Sequence, residues 1–122
     1  MHRRITSALE DVYQTVFKFS SCDIWLDDAG YWLAPHLDDT RIKLGLQIYC
    51  SKESNSGTTL FSKDVESIVE HFAWKEEYRK YEVDTVKFEH NSGYSLLNNT
   101  VSWHGVYPLV SNNRKSVYIR YS

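Results

Sequence analysis

Cysteine is nearly absent from this chain of 122 residues, which also contains only two prolines and five glycines. Its two cysteines, Cys22 and Cys50, form no Cys-x-x-Cys motif. The sequence therefore lacks the disulfide framework that is typical of small secreted domains. We expect free, mostly buried thiols in a reducing compartment.

Long basic and long apolar runs are also missing. Lys and Arg are scattered, and the formal net charge is -2, so the chain lacks the electrostatic footprint of a nucleic-acid-binding protein. No stretch approaches the roughly 20 apolar residues of a membrane-spanning helix. The N-terminus continues with polar residues in place of the apolar segment of a signal peptide. We expect a soluble, cytoplasmic protein without nucleic-acid or membrane partners.

What the chain does contain is typical of one β-rich domain. Residues 1–122 suffice for a single hydrophobic core but not for a second, and aromatic residues make up 15% of them. Residues 4–19 carry apolar side chains at helical spacing, which predicts an amphipathic helix packed against the outside of a sheet. We assign residues 1–22 to this helical brace and residues 23–122 to the β core.

Short strands separated by turns follow the helix. The clearest is Lys43–Cys50, where apolar residues alternate with a set that puts Gln47 and Tyr49 on one face. Residues 73–82 show no clean period, which indicates a solvated excursion, and Ser111-Asn112-Asn113 is typical of a turn. Seven or eight such strands predict a β-sandwich or jelly roll.

Three side chains form a candidate metal site. His36 and Asp38 are two residues apart, so in an extended strand both face the same side. Alone, this pair is more typical of a solvated turn with an incidental histidine than of a metal site. His104 supplies a second imidazole, and two histidines with one carboxylate form the facial triad that holds non-haem Fe(II) and leaves coordination positions open.

The order of these residues along the chain resembles a known family. His36-x-Asp38, a long interval, His104 and then Arg114-x-Ser116 ten positions later resemble the Fe(II)/2-oxoglutarate-dependent dioxygenases, and in particular their small prolyl-hydroxylase-like branch. Residues 48–52, 56–61 and 91–99 resemble further strands and turns of that family. The resemblance implies a mainly β fold, a double-stranded β-helix of the jelly-roll, cupin-like type, with the N-terminal amphipathic helix outside it.

The resemblance also implies an activity. His36, Asp38 and His104 would be the catalytic metal ligands for Fe(II), with 2-oxoglutarate as cosubstrate and dioxygen as oxidant. The expected reaction hydroxylates a prolyl or other peptide side chain, or a small molecule, and releases succinate and CO2. Because the chain is short for the family, we expect either a homodimer or additional N-terminal sequence to complete the helical support.

Four further residues would bind the cosubstrate according to the same resemblance. Arg114 would hold the distal carboxylate, because a guanidinium makes two parallel charge-assisted hydrogen bonds. Ser116 and Tyr49 would add hydroxyl donors, and Leu60 would form the apolar wall. Thr58 stands where the family often has a second glycine, which predicts a narrower pocket.

Several alternatives remain open at this point. His104 could be a core histidine and Arg114 an ordinary surface arginine. The domain could be a non-catalytic metal-binding or sensor domain of the same β-helix fold. It could also be a cupin-type metalloenzyme that needs no 2-oxoglutarate, in which case Arg114 has no evident task.

Overall fold

A computed structural model describes residues 2–53, 55–111 and 114–122. In that part of the chain one helix precedes eight strands. The elements are α1 (His2–Tyr13), β1 (Phe19–Asp27), β2 (Leu33–His36), β3 (Leu44–Tyr49), β4 (Thr58–Phe61), β5 (Glu82–Val86), β6 (Gly93–Leu97), β7 (His104–Val106) and β8 (Arg114–Tyr121). Asn112 and Asn113, which belong to the predicted turn before β8, lie outside the described residues.

The strands form two antiparallel four-stranded sheets. The first has the order β1-β8-β3-β6 and the second the order β2-β7-β4-β5. Every connection crosses between the sheets except the one from β4 to β5, which are neighbours in the second sheet. This order is that of a jelly roll. The predicted fold class, a mainly β jelly roll with an N-terminal helix, is confirmed.

Helix α1 packs on the outer face of the first sheet. Leu9 of the helix joins Leu44 of β3 and Ile119 and Tyr121 of β8 in one buried cluster. These strand residues alternate with inward-facing ones, so the sheet presents one apolar face to the helix and its other face to the second sheet. The predicted outer brace is therefore present.

The helix is shorter than the sequence pattern indicated. It ends at Tyr13, and β1 already begins at Phe19, so residues 1–22 are not all helical. Gln14 adopts a left-handed backbone conformation with φ of 51°, which stops a right-handed helix. Phe17 lies beyond the helix but packs into the same buried cluster as Leu9. Its position in the sequence therefore continues the apolar spacing of the helix.

The segment between β4 and β5 covers a second buried cluster, and its residues 73–82 are not the solvated excursion that the sequence predicts. It contains two short 3₁₀ helices, Lys63–Ser67 and Glu76–Tyr81. Val65 and Tyr78 are fully buried there, and the Tyr78 hydroxyl donates to the Ala73 carbonyl oxygen at 3.0 Å. A short 3₁₀ turn buries a single residue without amphipathic periodicity, which is why residues 73–82 show no clean period although Tyr78 is buried.

Both cysteines are free and exposed, which corrects the expectation of buried thiols. Cys22 is paired with Ile119 across β1 and β8 on the outer face of the first sheet, and Cys50 follows the end of β3. The described helix is too short and too polar to cross a bilayer.

Candidate metal centre

The two histidines of the predicted triad lie opposite each other on neighbouring strands. His36 ends β2, His104 begins β7, and the two are cross-strand partners. Directly opposed residues on one face of a sheet have adjacent side chains, and the ring centroids are 4.4 Å apart. Sheet register therefore brings together two residues separated by 68 positions in sequence.

Asp38 completes the group from the loop after β2. Its Oδ1 lies 3.6 Å from Nε2 of His36 and 3.5 Å from Nε2 of His104. One ligand atom from each residue lies within 4.8 Å of the other two. The structure thus brings the three predicted residues to one point, and their role as metal ligands stays a prediction.

Hydrogen bonds orient both imidazoles toward that point. Nδ1 of His36 contacts the Ala34 carbonyl oxygen at 2.9 Å, and Nδ1 of His104 contacts the Ser102 carbonyl oxygen at 2.9 Å. Because a carbonyl oxygen only accepts, each Nδ1 carries the hydrogen. In a neutral imidazole the lone pair is then on Nε2, which faces Asp38. Metal-ligating histidines are typically oriented in this way.

The spacing and charge of the group fit a divalent cation. Burial raises the pKa of Asp38, but the adjacent His104 and His36 side chains lower it more, so this pKa ends well below the usual range. The carboxylate is therefore ionised. The separations of 3.5 and 3.6 Å exceed good hydrogen bonds. Ligands about 2.1 Å from one cation lie about 3.0–3.5 Å apart.

The triad lines a cavity of about 290 Å³ between the two sheets. Arg114 and Asp27 line the same cavity, as do Gln47 and Thr58. Alternation along β8 points Arg114 and Ser116 to one face, as the sequence predicted. The cavity can therefore hold a small ligand in contact with a bound metal.

Arg114 is buried and is not the surface arginine of the alternative interpretation. It is 2% exposed, its Nη1 donates to Asp27 Oδ2 at 2.8 Å, and its Nε donates to the Ser56 carbonyl oxygen at 2.9 Å. Within the described residues, its Nη2 is buried without a hydrogen-bond partner. The guanidinium therefore retains one nitrogen, Nη2, whose N–H groups have no partner among the described residues.

Asp27 is a cavity residue that the sequence pattern did not single out. Its cross-strand partner is Arg114, and Trp25, two residues earlier, also lines the cavity. The alternation Asp23-Trp25-Asp27 within a longer β1 was the available signal.

The other predicted cosubstrate contacts lie around the cavity without lining it. Tyr49 and Ser116 are almost fully buried, but neither they nor Leu60 belongs to the described cavity wall. The Tyr49 hydroxyl pairs with Thr58 Oγ1 at 2.9 Å, and Gln47 Nε2 donates to Ser116 Oγ at 3.0 Å. The hydroxyls of Tyr49 and Ser116 therefore hydrogen-bond to two residues of the cavity wall, Thr58 and Gln47. Their contact with a cosubstrate stays a prediction.

The polar wall itself consists of residues that the sequence did not single out as binding groups. Tyr94 donates its hydroxyl to Gln47 Oε1 at 2.8 Å and lies 3.1 Å from Thr58 Oγ1. Thr58 lies in the cavity wall, and the narrowing expected from it stays a prediction. Gln47 of β3 and Tyr94 of β6 are cross-strand partners. The sequence alone does not show which face of each strand is turned toward the cavity, because that depends on how the strands pair.

Comparisons with known proteins give distant structural matches and no sequence match. No family model and no curated protein sequence matches the chain. Among solved structures, dTDP-4-dehydrorhamnose 3,5-epimerase from Bacillus anthracis, crystallised with TDP and PPi, aligns with a TM-score of 0.44 and 13% identity. The match covers 95% of this chain and 59% of the epimerase, so the chain spans less than two thirds of that protein's length. Nothing in these comparisons gives family support for a 2-oxoglutarate dioxygenase.

Proposed function

We propose that this protein is an Fe(II)- and 2-oxoglutarate-dependent dioxygenase. The observation that carries the proposal is that the His36, Asp38 and His104 group shares one cavity with a buried arginine, Arg114. When bound with its cosubstrates, Fe(II) supplies oxidation of an unactivated C–H bond, with release of succinate and CO2. Three protein ligands suffice to hold such a metal and leave positions for small molecules.

The chain's own residues would position the cosubstrate. Arg114 has five N–H donors in a fixed planar arrangement. Its buried Nη2 has no partner among the described residues, so it would pair with the cosubstrate carboxylate while Nη1 stays on Asp27. The carboxylates of Asp27 and of the cosubstrate would then share the one positive charge of Arg114. Cosubstrate binding in this protein consequently depends on how firmly Asp27 holds Arg114.

A substrate would enter past the exposed apolar part of the cavity wall. Trp25 is 42% exposed and Leu33 is 38% exposed, and both line the cavity. Apolar side chains exposed at a cavity wall favour contact with an apolar portion of a ligand. We propose a peptide side chain or small molecule with such a portion as the substrate.

One observation favours a second candidate, a metal-dependent enzyme of the same fold that uses no 2-oxoglutarate. Asp27 gives Arg114 a partner inside the chain, so the arginine has a task without any cosubstrate. In that case the metal group and the cavity would act on a substrate directly. A non-catalytic metal-binding domain is the third outcome of the same experiment.

The test is anaerobic titration of the protein with Fe(II) and then with 2-oxoglutarate. We expect the weak visible charge-transfer band of the iron chelate, and a weaker apparent affinity for 2-oxoglutarate in Arg114→Lys. Arg41→Lys, which changes an exposed arginine, is the matched control and should behave as the wild type. Metal binding without the band would refute the dioxygenase proposal and support the second candidate, provided that turnover is found.

A further inference from the structure

Asp38 has a second polar neighbour besides the two histidines. The Tyr118 hydroxyl lies 3.1 Å from Asp38 Oδ2. An ionised carboxylate only accepts hydrogen bonds, so the phenol is the donor. Oδ1, the other oxygen of the same carboxylate, is the one that both imidazoles face. The two oxygens of Asp38 therefore have different partners.

The position of the Tyr118 ring depends on a glycine in the neighbouring strand. Gly45 of β3 lies beside it, and a Cβ atom added there would overlap the phenolic oxygen. On another side, the Arg120 guanidinium lies 4.6 Å from the centre of the Tyr118 ring. A residue larger than glycine at position 45 would displace the hydroxyl from Asp38.

We propose that Tyr118 is a positioning residue that holds Asp38 as a one-oxygen metal ligand. Its hydrogen bond occupies Oδ2, so that only Oδ1 is presented toward the two Nε2 atoms. Bidentate binding by Asp38 would fill a coordination position that a metal enzyme keeps for its ligands. Hydrogen-bonded partners of this kind fix ligand orientation and contribute substantially to metal affinity.

This inference depends on the metal-binding part of the proposed function and not on 2-oxoglutarate. It is therefore tested with a metal alone. Co(II) suits the purpose because its visible spectrum reports the coordination sphere and its affinity can be titrated without turnover. The variant is Tyr118→Phe, which keeps the ring and removes the hydroxyl.

We expect Tyr118→Phe to raise the Kd for Co(II) by about 10- to 100-fold and to change the visible spectrum of the bound ion. Tyr13→Phe is the matched control, because it also removes a phenol that pairs with another side chain, Ser95 Oγ at 2.7 Å. That pair lies at the helix, away from the cavity. Its Kd for Co(II) should equal that of the wild type.

A second variant displaces the hydroxyl without deleting it. Gly45→Ala should weaken Co(II) binding in the wild-type background and have a much smaller effect in the Tyr118→Phe background. Such non-additivity indicates that both changes act through one interaction. Thermal unfolding of each variant establishes that it is folded at the titration temperature.

Each result has a separate meaning. A Co(II) Kd and spectrum unchanged in folded Tyr118→Phe, with binding lost in Asp38→Asn, would overturn the role of Tyr118 alone. A wild type that binds no Co(II) would overturn both this inference and the metal centre. A wild type that binds Co(II) but gives no band with Fe(II) and 2-oxoglutarate would overturn only the dioxygenase proposal.

Discussion

Arg114 donates from Nη1 to Asp27 Oδ2 at 2.8 Å, and the two residues are 2% and 7% exposed. A charged pair this well buried depends on both partners, since removal of one leaves an uncompensated charge in a low-dielectric site. The pair lines the same cavity as the metal group. Any anionic ligand that reaches Arg114 must therefore compete with, or share, the Asp27 carboxylate.

The substitution Asp27→Asn should separate the contribution of the Asp27–Arg114 pair to stability from its competition with an anionic ligand. We expect the free energy of unfolding to fall by up to about 3–5 kcal/mol, because the guanidinium loses its counter-charge. The same change should make Arg114 a stronger site for an added carboxylate. Addition of 2-oxoglutarate in the presence of Mn(II) should then raise the thermal midpoint more in the variant than in the wild type.

The control ligand for this experiment is 2-oxobutyrate, which has no distal carboxylate. With 2-oxobutyrate the thermal midpoint of Asp27→Asn should rise no more than that of the wild type. Equal midpoint shifts with both ligands, or equal shifts in variant and wild type, would show that Arg114 does not receive the distal carboxylate.

The fold was predictable because its elements carry local signals. The inward and outward faces of β3 alternate clearly in Lys43–Cys50, and turns separate the strands. The end of α1 was not predictable, because Phe17 continues the apolar spacing after the backbone has left the helix at Gln14. Likewise, Tyr78 is buried by tertiary packing that leaves no periodic pattern.

The metal group was predictable for a different reason. His36 and Asp38 are close in sequence, and their resemblance to a family motif suggested where His104 would join them. The partners of Asp27 and Tyr118 were not predictable, because they lie 87 and 80 residues away in sequence. Only sheet register decides which of many aspartates and tyrosines enters the cavity.

Removal of either imidazole should abolish stabilisation by metal. A ligand that binds only the folded state raises the thermal midpoint, so Mn(II) or Co(II) should raise it in the wild type. His36→Ala and His104→Ala should each remove most of this shift, because two remaining donors hold a cation weakly. His71→Ala, at an exposed histidine, should retain the full shift. Retention of the shift in His104→Ala would contradict the metal centre.

Removing the Tyr78 hydroxyl should reduce stability without affecting the metal site. This hydroxyl lies 3.0 Å from the Glu70 nitrogen and from the Ala73 carbonyl oxygen, in a fully buried residue. In Tyr78→Phe these backbone groups lose their partner, at a cost of about 1–3 kcal/mol. Urea denaturation measures the change, and an unchanged Co(II) Kd is expected. Equal stability of variant and wild type would show that this segment is solvated, as the sequence pattern indicated.

Both thiols should react with Ellman's reagent in the folded protein. Cys22 and Cys50 are exposed and form no disulfide, so access to their thiols does not require unfolding. We expect two equivalents of thiol, released at similar rates in native buffer and in urea. Release that begins only at the unfolding transition would mean that the thiols are buried after all.

Gly57, directly before β4, tests how closely β4 and β5 approach each other beside the cavity. A Cβ atom at this position would overlap the Val86 carbonyl oxygen of β5, and that overlap is with backbone, which cannot rotate aside. Gly57→Ala should therefore cost at least about 2 kcal/mol of unfolding free energy. It should also weaken Co(II) binding, because Thr58, the next residue, is part of the cavity wall.

The matched control is Gly30→Ala, at a glycine with no neighbouring atom within 4 Å but with φ of +84°. Its cost is backbone strain alone, about 1–2 kcal/mol. Chemical denaturation of both variants should therefore rank Gly57→Ala as the less stable. Gly30→Ala should affect the Co(II) Kd less than Gly57→Ala, since its added Cβ meets no atom within 4 Å and does not push a neighbouring strand away. The reverse order of stability would mean that β4 and β5 approach each other less closely than this register requires.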